Sequence, residues 1–148
     1  MTALGKPADM ADITVGSPAL DPEHQVQMGL ADALVTALQQ GHENSVVGEI
    51  LDQLATYSNA HFMAEQLLMR LHAYPHYAAH LQEHDRYLER LQEVQHRYRT
   101  GEVALTLQAA ESLRAWLRSH ILGADRALGD YLSAQASGGA AASFQPVS

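Results

Sequence analysis

Apolar residues recur at three- and four-residue intervals along most of this chain, which is the spacing of an amphipathic α-helix. No stretch alternates apolar and polar residues with period two, and β-branched residues are sparse, so we expect no strand. Turn and capping signals divide the periodic region into four predicted helices: Asp21 to about Gln40, Asn44 to His72, Pro75 to about Arg99, and Glu102 to Leu132.

Short turns connect these long helices. Asp21-Pro22 is typical of a helix start, with an acid as N-cap and proline at the first helical position, and Gly41 and Gly101 are typical of helix ends. Short connections favour antiparallel neighbours. We therefore predict an all-α fold, an antiparallel up-down-up-down four-helix bundle over residues 21–132. An N-terminal arm (1–20) precedes it, and a disordered tail or linker (133–148) follows.

The inward faces of the last three helices can be read from the same periodicity. They comprise Val47, Ile50, Leu54, Tyr57, His61, Glu65 and Leu68; then His80, His84, Leu88, Leu91 and Val94; then Ala110, Leu113, Leu117, His120, Ala124, Leu128 and Tyr131. Histidines and a glutamate thus occupy apolar faces. Burying such groups is costly unless they are hydrogen-bonded, paired or bound to metal.

Composition narrows the possible chemistry. The chain has 148 residues, nine histidines, no cysteine and a net charge of −8. The lack of cysteine excludes disulfides, thiolate zinc sites and iron–sulfur clusters. Without a Lys/Arg run we expect no nucleic-acid partner. No apolar run reaches the roughly 18 residues of a membrane span, and no signal peptide is visible, so we expect a cytoplasmic protein.

Two pairs of candidate ligands lie at i,i+4 spacing, His61 with Glu65 and His80 with His84, so each pair shares one helix face. In antiparallel helices, residues at equal depth average to the position of the turn between them. The residue numbers of His24 and His61 average to about 42.5, and the midpoints of the two i,i+4 pairs average to about 72.5. The midpoint of the second pair and the residue number of His120 average to about 101. Each average falls in or near a predicted turn. The three turns therefore predict one layer with five histidines and a glutamate.

Asp125 follows His120 by five residues, which rotates it about 140° on an ideal helix. A local π-bulge would let both residues flank one site. The remaining histidines, His42, His72, His76 and His96, fall at turns or helix ends, and we interpret them as ordinary surface residues. A register that pairs His76 with His80 would move the layer by a turn and fits less well.

Five imidazoles in one layer cannot satisfy one another cheaply, and protonated imidazoles would repel each other. A bound metal resolves both problems. Five imidazoles and two carboxylates exceed the four ligands of one zinc ion and suit two metals with shared carboxylates. This mixed nitrogen and oxygen set favours iron, with manganese a weaker alternative.

Four motifs in order resemble the hemerythrin family, specifically bacterial hemerythrins: Asp21-Pro22-Glu23-His24, His61-Phe62-Met63-Ala64-Glu65, Tyr74-Pro75 with His80-x-x-x-His84, and Trp116-Leu117-x-x-His120-Ile121-x-x-x-Asp125. The resemblance covers about Ile13 to Leu132. It implies a non-haem site of two irons with an oxo or hydroxo bridge. His80, His84 and His120 would hold one iron, His24 and His61 the other, and Glu65 and Asp125 would bridge them.

The resemblance also implies an O2 pocket beside the iron with fewer protein ligands. Leu117 would overhang the open position, and Phe62, Trp116 and Ile121 would help to wall the pocket against water. Trp116 is equally compatible with ordinary core packing. Two features depart from the family: Gln66 replaces a common second glutamate, and a tryptophan common near the N-terminus is absent, so the docking of the arm is not predicted.

The function that the resemblance implies is reversible O2 binding, as an oxygen carrier for transport, a store or a sensor, and not an enzymatic activity. NO and azide are alternative small ligands. The first alternative is a di-iron redox enzyme that consumes peroxide or NO. The second is a sensory module of a larger signalling protein, to which the segment after Leu132 would lead; a redox partner stays unknown.

Overall fold

The computed structural model describes residues 13–41 and 44–137. Four long helices pack side by side: α1 (Asp21–Gln39), α2 (Asn44–Leu71), α3 (Tyr77–Arg99) and α4 (Val103–His120). A π-helical turn (Ile121–Asp125) continues α4 into α5 (Arg126–Ser137). Helix α1 packs against α2 and α4, and α3 packs against α4 and α2. The predicted all-α four-helix bundle is confirmed, and the described residues contain no strand.

The predicted ends of the helices hold to within a few residues, with two corrections. Helix α5 extends to Ser137, so residues 133–137 are helical and not part of a disordered tail; residues 138–148 lie outside the described part. Asp21 is the first helical residue and not the N-cap, which is Leu20. Its carboxylate instead accepts hydrogen bonds from the backbone N–H groups of Val15, Gly16 and Ser17.

Four of the seven predicted inward positions of α2 are buried, and at the other three the buried residue lies one position later. Leu51, Ser58 and Met69 are buried, whereas the predicted Ile50 and Leu68 are only half-buried. Tyr57 and, on α3, Leu88 are likewise half-buried. An inward helix face is more than 100° wide, so periodicity alone does not locate its centre to better than one residue.

The described part of the arm packs on the bundle. Ile13, Val15 and Leu20 are buried in the core, and the guanidinium of Arg126 donates to the carbonyl of Thr14 at 3.0 Å. Gly129 lets the backbone of the arm lie close to α5, because a Cβ at this position would lie 3.1 Å from the backbone oxygen of Val15. The arm therefore closes the bundle beside the start of α1, where His24 lies.

Candidate metal centre

The structure brings together all seven predicted metal ligands. They come from all four long helices and the π turn, and each is at most 3% exposed: His24, His61, Glu65, His80, His84, His120 and Asp125. The side chains fall into two groups whose ligand atoms lie within 4.8 Å of one another. One group contains three histidines, His80, His84 and His120. The other contains His24 and His61, and both groups include the two carboxylates.

Glu65 lies between the two sets of imidazoles. Its Oε1 is 3.0 Å from Nε2 of His80 and 2.9 Å from Nε2 of His84. Its Oε2 is 3.3 Å from Nε2 of His24 and 3.1 Å from Nε2 of His61. Each oxygen therefore faces one group, which is the arrangement that a bridging carboxylate needs.

Asp125 spans the same two groups from the opposite wall. Its Oδ2 is 2.9 Å from Nε2 of His24, and its Oδ1 is 3.0 Å from Nε2 of His80 and 3.2 Å from Nε2 of His120. Two carboxylates thus connect the three-histidine group to the two-histidine group.

The π turn at Ile121–Asp125 explains how Asp125 reaches the site. On an uninterrupted α-helix, Ala124 would share the face of His120, as the periodicity predicts. The wider turn shifts the register by one residue, so Asp125 is 1% exposed and Ala124 is half-buried. The inward prediction for Ala124 is wrong for this reason.

Several buried atoms of the cluster approach polar neighbours without making hydrogen bonds. Among the described residues, Nε2 of His61, Nε2 of His120 and Oδ1 of Asp125 have no hydrogen-bond partner, although each lies within 3.2 Å of a polar atom. Buried polar atoms in folded proteins rarely lack a hydrogen-bond partner. Their lone pairs converge on shared space, and nitrogen and carboxylate oxygen suit a transition metal. The residues of each group therefore fit a metal ion.

The charges in the cluster depend on one another. Burial disfavours the charged form of every group, but the nearby carboxylates of Asp125 and Glu65 outweigh it for His24 and His80 and raise each pKa to about 9. Burial would also raise the pKa of Glu65, yet four imidazoles close to its oxygens hold it well below the usual range. Burial and the charge of Glu65 would raise the pKa of Asp125, but the charge of His120 and the close imidazoles of His120 and His24 lower it to about 2. Burial prevails only for His84, whose pKa is lowered.

Three polar side chains outside the cluster hold the outward nitrogens of the imidazoles. Nδ1 of His61 is 2.6 Å from the carboxylate of Glu23, and Nδ1 of His120 is 2.7 Å from that of Glu83. Nδ1 of His84 is 3.3 Å from the amide of Gln66. A carboxylate on Nδ1–H orients the ring and directs Nε2 toward a metal. We had not predicted this role, although averaging over the turns places Glu23 level with His61.

The four predicted pocket residues adjoin the cluster or are buried near it. The Phe62 ring stacks on His84 with centroids 3.9 Å apart, and Trp116 stacks on His120 with centroids 5.2 Å apart. Leu117 and Ile121 are completely buried. Their role in an O2 pocket stays a prediction. His72, His76 and His96 are exposed, as expected, and His42 lies outside the described residues.

Comparison with known proteins identifies relatives of the chain. The family model described as Hemerythrin HHE cation binding domain matches residues 15–132. A bacteriohemerythrin of Stenotrophomonas maltophilia is 31% identical over 123 residues, covering 83% of this chain and 79% of that protein. The bacteriohemerythrin of Methylococcus capsulatus is 30% identical over 114 residues, covering 77% and 86%. No solved structure matches the chain. None of the helices described is long and apolar enough to cross a membrane.

The metal-free protein should lose stability as the pH rises. The raised pKa values of His24 and His80 stabilise the fold fully below pH 6.5, the ordinary histidine pKa, and this stabilisation is lost as the pH approaches 9. The lowered pKa values of Glu65 and Asp125 act in the opposite sense, and their contribution is lost as the pH falls below the ordinary values of 4.5 and 3.8. We expect the melting temperature of the metal-free protein to peak at about pH 5 to 6.

Bound metal should abolish the alkaline decline, because it holds the imidazoles unprotonated at every pH in this range. Thermal unfolding between pH 5 and pH 9.5, with and without metal, measures both effects. A melting temperature of the metal-free protein that stays level or rises above pH 6.5 would contradict the charge assignment.

Glu23→Ala should weaken metal retention, because His61 loses the carboxylate that orients it. Removing such a partner typically costs about 10- to 100-fold in metal affinity. The readout is the rate at which a chelator removes metal. We expect one of two metals to leave faster, and Glu23→Gln to recover much of the loss because its amide oxygen still accepts from Nδ1–H. Glu89→Ala, an exposed change on α3, is the control; equal rates in Glu23→Ala and this control would refute the role.

Proposed function

The chain belongs to the hemerythrin HHE cation-binding domain family, and from that premise we propose that it is a non-haem di-iron protein that binds O2 reversibly. The observation that carries the proposal is the pair of ligand groups that share Glu65 and Asp125. We assign His80, His84 and His120 to one iron and His24 and His61 to the other. An oxo or hydroxo bridge would complete the centre.

The two groups differ by one imidazole, and this difference supports ligand binding at one side only. With three histidines and two carboxylates, the first group leaves little room for a further ligand. The second, with two histidines and the same carboxylates, leaves coordination positions free. Iron supplies the redox chemistry that O2 binding requires; the protein decides where a small ligand can enter.

The surroundings of the cluster favour a reversible function over water-dependent chemistry. Phe62 and Trp116 cover the imidazoles of His84 and His120, while Leu117 and Ile121 are completely buried. We propose that these four side chains exclude water from the ligand position, since apolar surroundings limit solvent access to a metal. His24, in the ligand-poor group, is completely buried as well.

O2 binding should be visible by spectroscopy. Iron-loaded protein, reduced without air, should gain an absorption band in the visible range on adding O2 and lose it when O2 is removed, over repeated cycles. Direct, irreversible oxidation without that band, together with turnover of peroxide, would replace the carrier proposal with the redox-enzyme alternative.

His61→Ala tests the ligand assignment, because it removes one of the two histidines of the His24–His61 group. We expect this variant to retain one iron per chain and to lose the O2-dependent band. Elemental analysis that still finds two irons per chain would refute the assignment of His61.

A further inference from the structure

A second buried polar cluster lies next to the metal centre and is not part of it. We call it the polar layer, and it consists of Gln27 on α1, Ser58 on α2 and Tyr87 on α3. Each residue is three positions from a histidine of the centre, namely His24, His61 and His84, and so about one helical turn away. All three side chains are completely buried.

The polar layer is internally hydrogen-bonded but leaves one atom unsatisfied. The amide nitrogen of Gln27 donates to the hydroxyl of Ser58 at 3.0 Å, and this hydroxyl is 2.9 Å from that of Tyr87. Burial raises the pKa of Tyr87 to about 12, so its phenol stays protonated. In the described part of the chain, the amide oxygen of Gln27 has no hydrogen-bond partner. An unsatisfied acceptor inside a bundle is costly and needs an explanation.

The order of the ligands along the helices shows which side of the centre faces this layer. Glu65, His80 and Asp125 are displaced from His61, His84 and His120 toward the α2–α3 turn, and they fill that side. On α1 the corresponding position is Leu20, which is buried and apolar. The side left for a further ligand of the His24–His61 group is therefore the opposite one. Gln27 and Ser58 lie in that direction on the helices that carry these two histidines.

We propose that Gln27 determines ligand specificity by accepting a hydrogen bond from a small molecule held beside the His24–His61 group. The inference rests on the proposed function and adds a chemical class to it. A ligand that carries a hydrogen, such as hydroperoxide or hydroxide, satisfies the amide oxygen. A ligand that carries none, such as azide, leaves it unsatisfied and places its own lone pairs toward the amide oxygen.

Ser58 fixes the orientation that this selection needs. Because its hydroxyl accepts from the amide nitrogen of Gln27, the amide oxygen is the free end. The hydroxyl of Tyr87 completes the chain, and no proton has to leave any of these groups. The polar layer thus favours ligands with hydrogen through hydrogen bonding alone.

Among the described residues, the amide oxygen of Gln27 has one alternative partner, the imidazole of His24. Nδ1 of His24 is buried and also lacks a hydrogen-bond partner, and it lies three positions from Gln27 on α1. If these two atoms pair, Gln27 only orients the ring of His24. Such a role affects metal retention and every ligand alike, whereas ligand selection changes the ratio of two affinities.

Gln27→Leu tests the proposal, because leucine keeps a similar volume and removes the acceptor. Iron-loaded, oxidised protein is titrated with sodium azide, and its initial spectral change with hydrogen peroxide is followed by stopped-flow absorption. We expect the affinity for peroxide to fall about tenfold, the scale of one hydrogen bond. The affinity for azide should stay unchanged or increase. Gln53→Leu, an exposed change on α2, should alter neither.

The ratio of the two affinities decides the outcome. If Gln27→Leu changes the affinities for azide and peroxide by the same factor, their ratio is unchanged and the selection role is overturned, even if iron leaves the variant faster. Wild-type protein that binds neither ligand would overturn this inference together with the proposed function, whereas ligand binding with an unchanged ratio overturns this inference alone. Gln27→Met provides a second apolar variant of similar volume if Gln27→Leu does not fold.

Discussion

The structure depends on the burial of five imidazoles and two carboxylates at one level of a helical bundle. Groups of this kind are costly to bury unless charge and hydrogen bonding are balanced among them. Between them, Glu65 and Asp125 contact every imidazole of the centre within 3.3 Å. Removing Glu65 would leave His61 and His84 without a carboxylate of the centre, and removing Asp125 would leave His120 without one. The neighbouring elements are arranged around this balance.

Three local features position the side chains of the metal centre at one level of the bundle. The π turn rotates Asp125 inward, the docked arm covers the start of α1, and Glu23 and Glu83 orient two imidazoles from the surface. Each feature comes from a different part of the chain. Helix packing alone would place the histidines near one another, but it would not direct their Nε2 atoms to shared space.

Helix periodicity and the positions of the turns were enough to predict the bundle and the depth of the site. Asp125 needed the family resemblance, since ideal helix geometry turns it away from His120. Periodicity placed Tyr57 and Leu88 on the inward faces in place of their buried neighbours Ser58 and Tyr87, and so it missed both. Gln27 is a polar residue that a search for apolar stripes passes over. The role of Asp21 depends on the path of the arm, which has no periodic pattern.

The central claim is that the two ligand groups hold two metal ions that share both carboxylates. A crystal structure of the iron-loaded protein, with anomalous scattering at the iron edge, tests it most directly. We predict two peaks, one bound by His80, His84 and His120 and one by His24 and His61, with Glu65 and Asp125 bound to both. A single peak, or two peaks that share neither carboxylate, would contradict the account.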